Sequence, residues 1–139
     1  MVITEELALE TAGHTDILDV TPLVQDKIRV SGLQAGIVTV FCPGATGGLT
    51  TVEWEDGVLA DIRQVLDEIV PPDRDYRHHR RWGDDNGSAH VRAALMGPSL
   101  TVPFAGGRLT LGTWQHIVFL DFDTRPRSRR LVVQIMGES

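Results

Sequence analysis

The sequence predicts an α+β fold that is predominantly β: a β-sandwich or strongly bent antiparallel sheet with two to three helices packed outside it. Three observations carry this. Strand-like segments outnumber helical ones, and the two longer helical segments both fall in the first half of the chain. Near the C-terminus, residues 115–122 are apolar on both faces of a strand, with Trp114, His116, Val118, Leu120 and Phe122 on one side. A strand apolar on both sides belongs in the middle, between two layers.

The elements follow in order. Residues 2–9 alternate loosely and end at Ala12-Gly13, as a strand before a turn does, and residues 16–20 form a second short strand. Thr21-Pro22 starts a helix, with a hydroxyl for the cap and proline at the first helical position, and Gly32 stops it. Residues 36–42 are a short apolar run, hence a buried strand, and residues 49–54 form another after the glycine-rich bend Pro43 to Gly48. The clearest helix covers residues 58–70, where Val58, Ile62, Val65, Leu66 and Ile69 recur at helical spacing and Pro71-Pro72 ends the run. Residues 73–88 are polar and irregular. A short helix over residues 89–96 stops at Gly97-Pro98, and strands follow over residues 99–104, 108–111, 115–122 and 130–136.

A chain of 139 residues is the usual size of one domain, residues 1–139 here, and buries enough surface to fold without a disulfide or structural metal. Its single cysteine, Cys42, has no partner in the chain, and the apolar character of its strand marks it as a small core residue rather than a nucleophile. The N-terminus has neither a basic lead nor an apolar core, so no signal peptide is expected, and no apolar run nears the ~20 residues of a membrane span. These features together predict a cytoplasmic protein. A net charge of −6 argues against nonspecific nucleic-acid binding, which rests on neutralising phosphates. Twelve of the thirteen basic residues are arginine, the side chain that binds phosphate or carboxylate in a bidentate manner.

Chemistry-bearing residues gather in two places. His78, His79 and His90 lie in one short segment beside Asp84 and Asp85, and neutral imidazole is a good ligand for zinc or a similar divalent ion. Their spacing matches no local metal motif, so only folding can bring them together; Glu53 and Cys42 offer alternative ligand atoms. The bend Pro43 to Gly48 can present successive backbone N–H groups to an anion, with the Thr46 hydroxyl beside them, although it can equally be a plain strand connection. Arg108, Arg127, Arg129 and Arg130 are phosphate anchors or partners of the many acids. Glu53, beside Trp54, would be suited to acid–base work if buried. His116 is expected to be a packing residue and His14 to belong to a turn.

The segment Gly87-Ser88-Ala89-His90-Val91-Arg92-Ala93-Ala94-Leu95-Met96-Gly97, then Ser99 to Pro103, Gly107-Arg108-Leu109, Leu111-Gly112-Thr113-Trp114-Gln115 and Pro126 to Arg130, resembles the YjbQ-like proteins in order and spacing. Members of this family are also described as secondary thiamine-phosphate synthases. The resemblance implies a β-sandwich-like fold, a homotrimer with a site near the subunit boundary, and a weak synthase activity joining a pyrimidine pyrophosphate to a thiazole phosphate. It places family histidines at His78 and His90 and acidic positions at Glu53 and Asp121. Where the family carries His-Thr-Thr-Ala, this chain has Gly44-Ala45-Thr46-Gly47, so one histidine is missing. For an enzyme, the expected catalytic residues are Thr46, Glu53, His90 and Gln115 with an arginine, and His90 and Glu53 share one concave site. The expected cofactor is a weakly held divalent ion, zinc or magnesium, on His78, His79 and His90. The alternative is a non-enzymatic trimer that binds a phosphorylated metabolite or a metal ion.

Overall fold

A computed structural model describes residues 1–139 as eight strands and four helices. The order is β1 (Val2–Thr11), β2 (Asp16–Asp19), α1 (Thr21–Ser31), β3 (Ala35–Phe41), β4 (Gly47–Val52), α2 (Asp56–Ile69), α3 (Arg77–Trp82), α4 (Gly87–Met96), β5 (Ser99–Ala105), β6 (Arg108–Leu109), β7 (His116–Asp121) and β8 (Arg127–Glu138). Two antiparallel sheets form. The larger runs β1-β8-β3-β5-β6 and the smaller β2-β7-β4. The predominantly β, α+β sandwich read from the sequence is the observed fold.

The two-sided apolar pattern of β7 has the predicted consequence. Ile117 and Phe119 enter the main core between the sheets with Leu49, Val38, Val40 and Leu131. Val118 and Leu120 point the other way, into a second core with Leu59 and Leu66 of α2 and Ala89 and Ala93 of α4. The chain is therefore layered: large sheet, small sheet, then α2 and α4. Helix α1 closes the main core at one end, burying Val24 and Ile28. No helix is long and apolar enough to cross a membrane.

Several element bounds shift by two or three residues, β8 covering Arg127–Glu138 and β4 Gly47–Val52, and four departures bear on the argument. The expected face-mate Trp114 lies before β7 and is exposed, because the strand begins at His116, where pairing with Val52 of β4 begins. His116 is not a packing residue: its Nδ1 lies 2.9 Å from Asp19 Oδ2 across the β2–β7 pair. Strand β1 runs on to Thr11, since all ten of its residues find partners on β8. Finally, the segment expected to be irregular contains α3, a helix with no buried residue. No apolar period announces it; the left-handed Gly83, whose N–H donates to the His79 carbonyl, closes it.

Candidate functional site

Helix α3 holds its histidines over the start of α4. The ligand atoms of His78, His79 and Asp84 all lie within 4.8 Å of one another. His78 Nδ1 is 3.0 Å from Asp84 Oδ1, an ion-pair contact that does not make a hydrogen bond. The Nδ1 of His79 and the Oδ1 of Asn86 are likewise occluded and unpartnered. Buried polar atoms are rarely left unpaired. Ligand atoms gathered this closely are compatible with an ion's coordination shell, since tetrahedral zinc with bonds of about 2.0–2.1 Å spaces its ligand atoms about 3.3 Å apart.

Of the three imidazoles expected to bind metal, two are thus brought together with Asp84. His90 stacks on His78, ring centroids 4.5 Å apart and tilted by 36°, and stands next to the trio rather than within it. Gly87 permits this crowding: a Cβ there would meet Tyr76 at 2.7 Å and His78 at 3.3 Å. Beside the trio opens a cleft of about 560 Å³, bounded by Arg74, Arg77, Tyr76, His78, His90 and Val91. Arg74 lies over the Tyr76 ring, 5.6 Å from its centroid, and Tyr76 is fixed in turn by its hydroxyl, which donates to the Pro71 carbonyl.

The remaining expected site residues lie elsewhere. Thr46 is buried, its hydroxyl donating to Asp123 Oδ2 at 3.2 Å and accepting from Arg129 Nη2 at 2.7 Å. It therefore serves to hold the bend. The bend's glycines have a packing cause: a Cβ on Gly47 would meet the Phe119 ring at 2.7 Å, and one on Gly48 would meet Met96 at the same distance. Gln115 accepts from the Gly112 N–H and donates to Thr51 Oγ1, facing a separate threonine-rich cavity of about 420 Å³ between β4 and β5. Glu53 is exposed after β4 and is not among the residues bounding the His90 cleft, so the expected burial is absent. His14 does lie in a turn, at φ 54.

Beneath the bend lies an ion network that sequence reading did not assemble. Asp121, with no exposed surface, accepts from Arg129 Nε at 2.7 Å, Arg129 Nη2 at 2.8 Å and the Thr11 hydroxyl at 2.5 Å. Burial pushes its carboxyl up, but these bonds, the Asp123 N–H and the Arg129 charge together hold it below the usual range. Asp123 behaves alike: burial raises it, while the Thr124 N–H, Arg127 and Thr46 bring it down. Cys42, a core residue as expected, is pushed up by burial. Of the four arginines considered as phosphate anchors, Arg127, Arg129 and Arg130 pair with Asp123, Asp121 and Glu6. A Cβ on Gly44 would lie 3.5 Å from Arg129 Nη1, so Gly44 sits directly over this network.

A family model described as "UPF0047 protein YjbQ-like" matches residues 5–138. The chain belongs to the YjbQ-like family. It is 41% identical over 131 residues to a UPF0047 protein of Archaeoglobus fulgidus, covering 94% of this chain and 99% of that one. It is 33% identical to YugU of Bacillus subtilis, covering 94% and 97% of the two chains. Among solved structures, a YbjQ-like protein of Sulfolobus solfataricus superposes with a TM-score of 0.93 at 30% identity, covering 99% of each chain. A yjbq/upf0047-family protein of Clostridium acetobutylicum gives 0.87 at 38% identity, over 95% of this chain and 99% of that one. The family's sandwich is thus kept in this chain.

Proposed function

We propose that this YjbQ-like protein binds a divalent ion of the zinc class at His78, His79 and Asp84 and presents it to a small phosphorylated molecule in the adjoining cleft. The observation that carries the reading is the convergence of these donor atoms, with neither histidine Nδ1 in a hydrogen bond. Imidazole selects zinc, nickel or copper over magnesium, which keeps to oxygen ligands and water. Three protein ligands leave a coordination position open, as in sites that take water or substrate. Arg74 and Arg77 line the cleft and supply charge for a phosphate. Asp84 is exposed and no hydrophobic residue is buried in α3, so the ion is weakly held and the core folds without it.

The narrower reading is synthase-like transfer, in which the ion and the arginines would stabilise a departing pyrophosphate. The dispersal of Thr46, Glu53 and Gln115 away from the cleft favours the binding reading over it. Copies of this chain are the proposed assembly partners: the outer face of the large sheet aligns Val2, Met136, Ile37 and Pro103 in one cross-strand row that nothing in the chain covers.

The test is zinc titration by calorimetry with elemental analysis. Purified protein should carry substoichiometric metal that mild chelation removes without changing the melting curve. Occupancy should fall on acidification, since protons compete for imidazole nitrogen. Loss of an outer-shell partner costs about 10–100-fold in metal affinity, so Asp84→Asn and His78→Ala should each weaken zinc by at least that much. Zinc binding that is absent at millimolar concentration, or unchanged in both variants, refutes the site. Turnover of the pyrimidine pyrophosphate with the thiazole phosphate, lost in the same variants, would select the synthase reading.

A further inference from the structure

We propose that a second cavity, on the other side of α4, is a binding site for a tetrahedral oxyanion: phosphate, or the phosphoryl end of a small ester. It encloses about 260 Å³ between α2, the start of α4 and the β1–β2 turn. That is below the ~300–1,000 Å³ of drug-sized sites and suits an oxyanion with a short organic tail.

Its lining is rich in donors and poor in acceptors. Ser88 is only 4% exposed and faces the cavity, and its hydroxyl has no partner in the protein. The Thr15 hydroxyl accepts from Arg92 Nη1 at 2.8 Å, which leaves its own proton undonated. The Thr124 hydroxyl is also free. Arg92, 5% exposed, spends its Nε on the Val70 carbonyl and its Nη2 on that carbonyl and on Asp67. With five N–H donors on a guanidinium, one on Nη1 is left over. Arg63 uses only Nε, on the Thr15 carbonyl, and keeps both terminal nitrogens at the mouth. Two guanidinium groups thus face one carboxylate, Asp67, which Arg92 already occupies. The first-turn N–H groups of α4 add positive potential beside Ser88. An acceptor-rich, negatively charged ligand matches such a set.

The backbone is bent to build it. Thr15 stands at φ 62, a left-handed conformation that a β-branched residue rarely adopts. The two arginines that hold it there are the two that face the cavity. Strain of this kind persists where surrounding structure enforces it, and it concentrates at ligand sites.

This site needs no metal, so it is tested in the presence of a chelator, and its failure would leave the zinc site untouched. Calorimetry with inorganic phosphate and with glycerol 3-phosphate should show saturable one-site binding; whichever is tighter tells free phosphate from a phosphoryl ester. Acetate should compete with neither. Charge-assisted hydrogen bonds are strong, so Arg63→Gln should weaken binding by about tenfold or more. Ser88→Asp, which places a carboxylate in the cavity, should abolish it, and Ser88→Val removes the hydroxyl alone if the aspartate variant does not fold. No saturable binding of either probe at millimolar concentration overturns the proposal. So does undiminished binding by Arg63→Gln together with a folded Ser88 variant.

Discussion

Arg129→Met is the sharpest test of what holds the bend and β8 together. Arg129 is the only cation bonded to Asp121, whose side chain has no exposed surface, and it also steadies Thr46. Breaking a buried pair by removing one partner costs about 3–5 kcal/mol, because the remaining charge stays buried without compensation. For a chain of this size each kcal/mol moves the melting point by roughly 3–5 °C, so a drop of about 10–20 °C is expected. The sign with pH follows from the carboxyls. Asp121 and Asp123 are held below the usual range, so their contribution is complete above the unfolded carboxylate value of about 3.9 and is lost as pH falls further. Without Arg129 the burial that raises Asp121 loses its main opponent, so the variant gains stability relative to wild type on acidification. Urea unfolding of both proteins between neutral and acidic pH measures this. A loss under about 1 kcal/mol, or a deficit that widens on acidification, would refute the reasoning.

Three further outcomes are expected. Light scattering at micromolar concentration should give three times the 15.3 kDa chain mass, as the uncovered outer row of the large sheet and the family resemblance imply; a monomer mass would sink the trimer. Gly47→Ala should cost about 1–3 kcal/mol by driving a methyl into the Phe119 ring, and Phe119→Leu in the same chain should recover part of it. Unfolding curves of the single and double variants would show whether the two are coupled. Arg92→Met should lose about 1–3 kcal/mol through the orphaned Val70 carbonyl, which circular-dichroism melts of the variant and the wild type can detect.

The sandwich was legible because its signals are local and redundant. The alternation that sends Ile117 and Phe119 one way and Val118 and Leu120 the other is written into one strand. In α2 the apolar spacing marked the helix but not its buried face, which is Leu59, Ile62 and Leu66, while Val65 and Ile69 are exposed. The histidine segment was legible only as a collection of residue types. Helix α3, Arg77–Trp82, buries nothing, so no apolar spacing marks it, and Asp84 reaches His78 only because Gly83 turns the chain at φ 69. Thr46 misled for the opposite reason: a hydroxyl in a glycine-rich bend looks presented to solvent until Asp123 and Arg129, 77 and 83 residues further on, claim it. The oxyanion cavity draws on the β1–β2 turn, α2, α4 and the loop after β7, and no window of sequence contains it.

Helix α4 explains why one ten-residue segment carries so much of the resemblance. Ala89 and Ala93, one turn apart, are the face that rests on the small sheet, and their small size lets the helix sit close to Val118 and Leu120. Ser88 and Arg92, also one turn apart, lie on the next face and line the oxyanion cavity. Gly87, His90 and Val91 make a third face along the cleft beside α3. Each residue type follows from its neighbour: a methyl where the sheet is near, a hydroxyl and a guanidinium where donors are needed, no Cβ where Tyr76 closes in. What remains for solvent is chiefly Ala94 and Leu95. A helix committed on three sides cannot rotate or shift to suit one of them without disturbing the other two. Its pose is therefore set by the β7 core, and the two cavities beside it inherit their geometry from that packing.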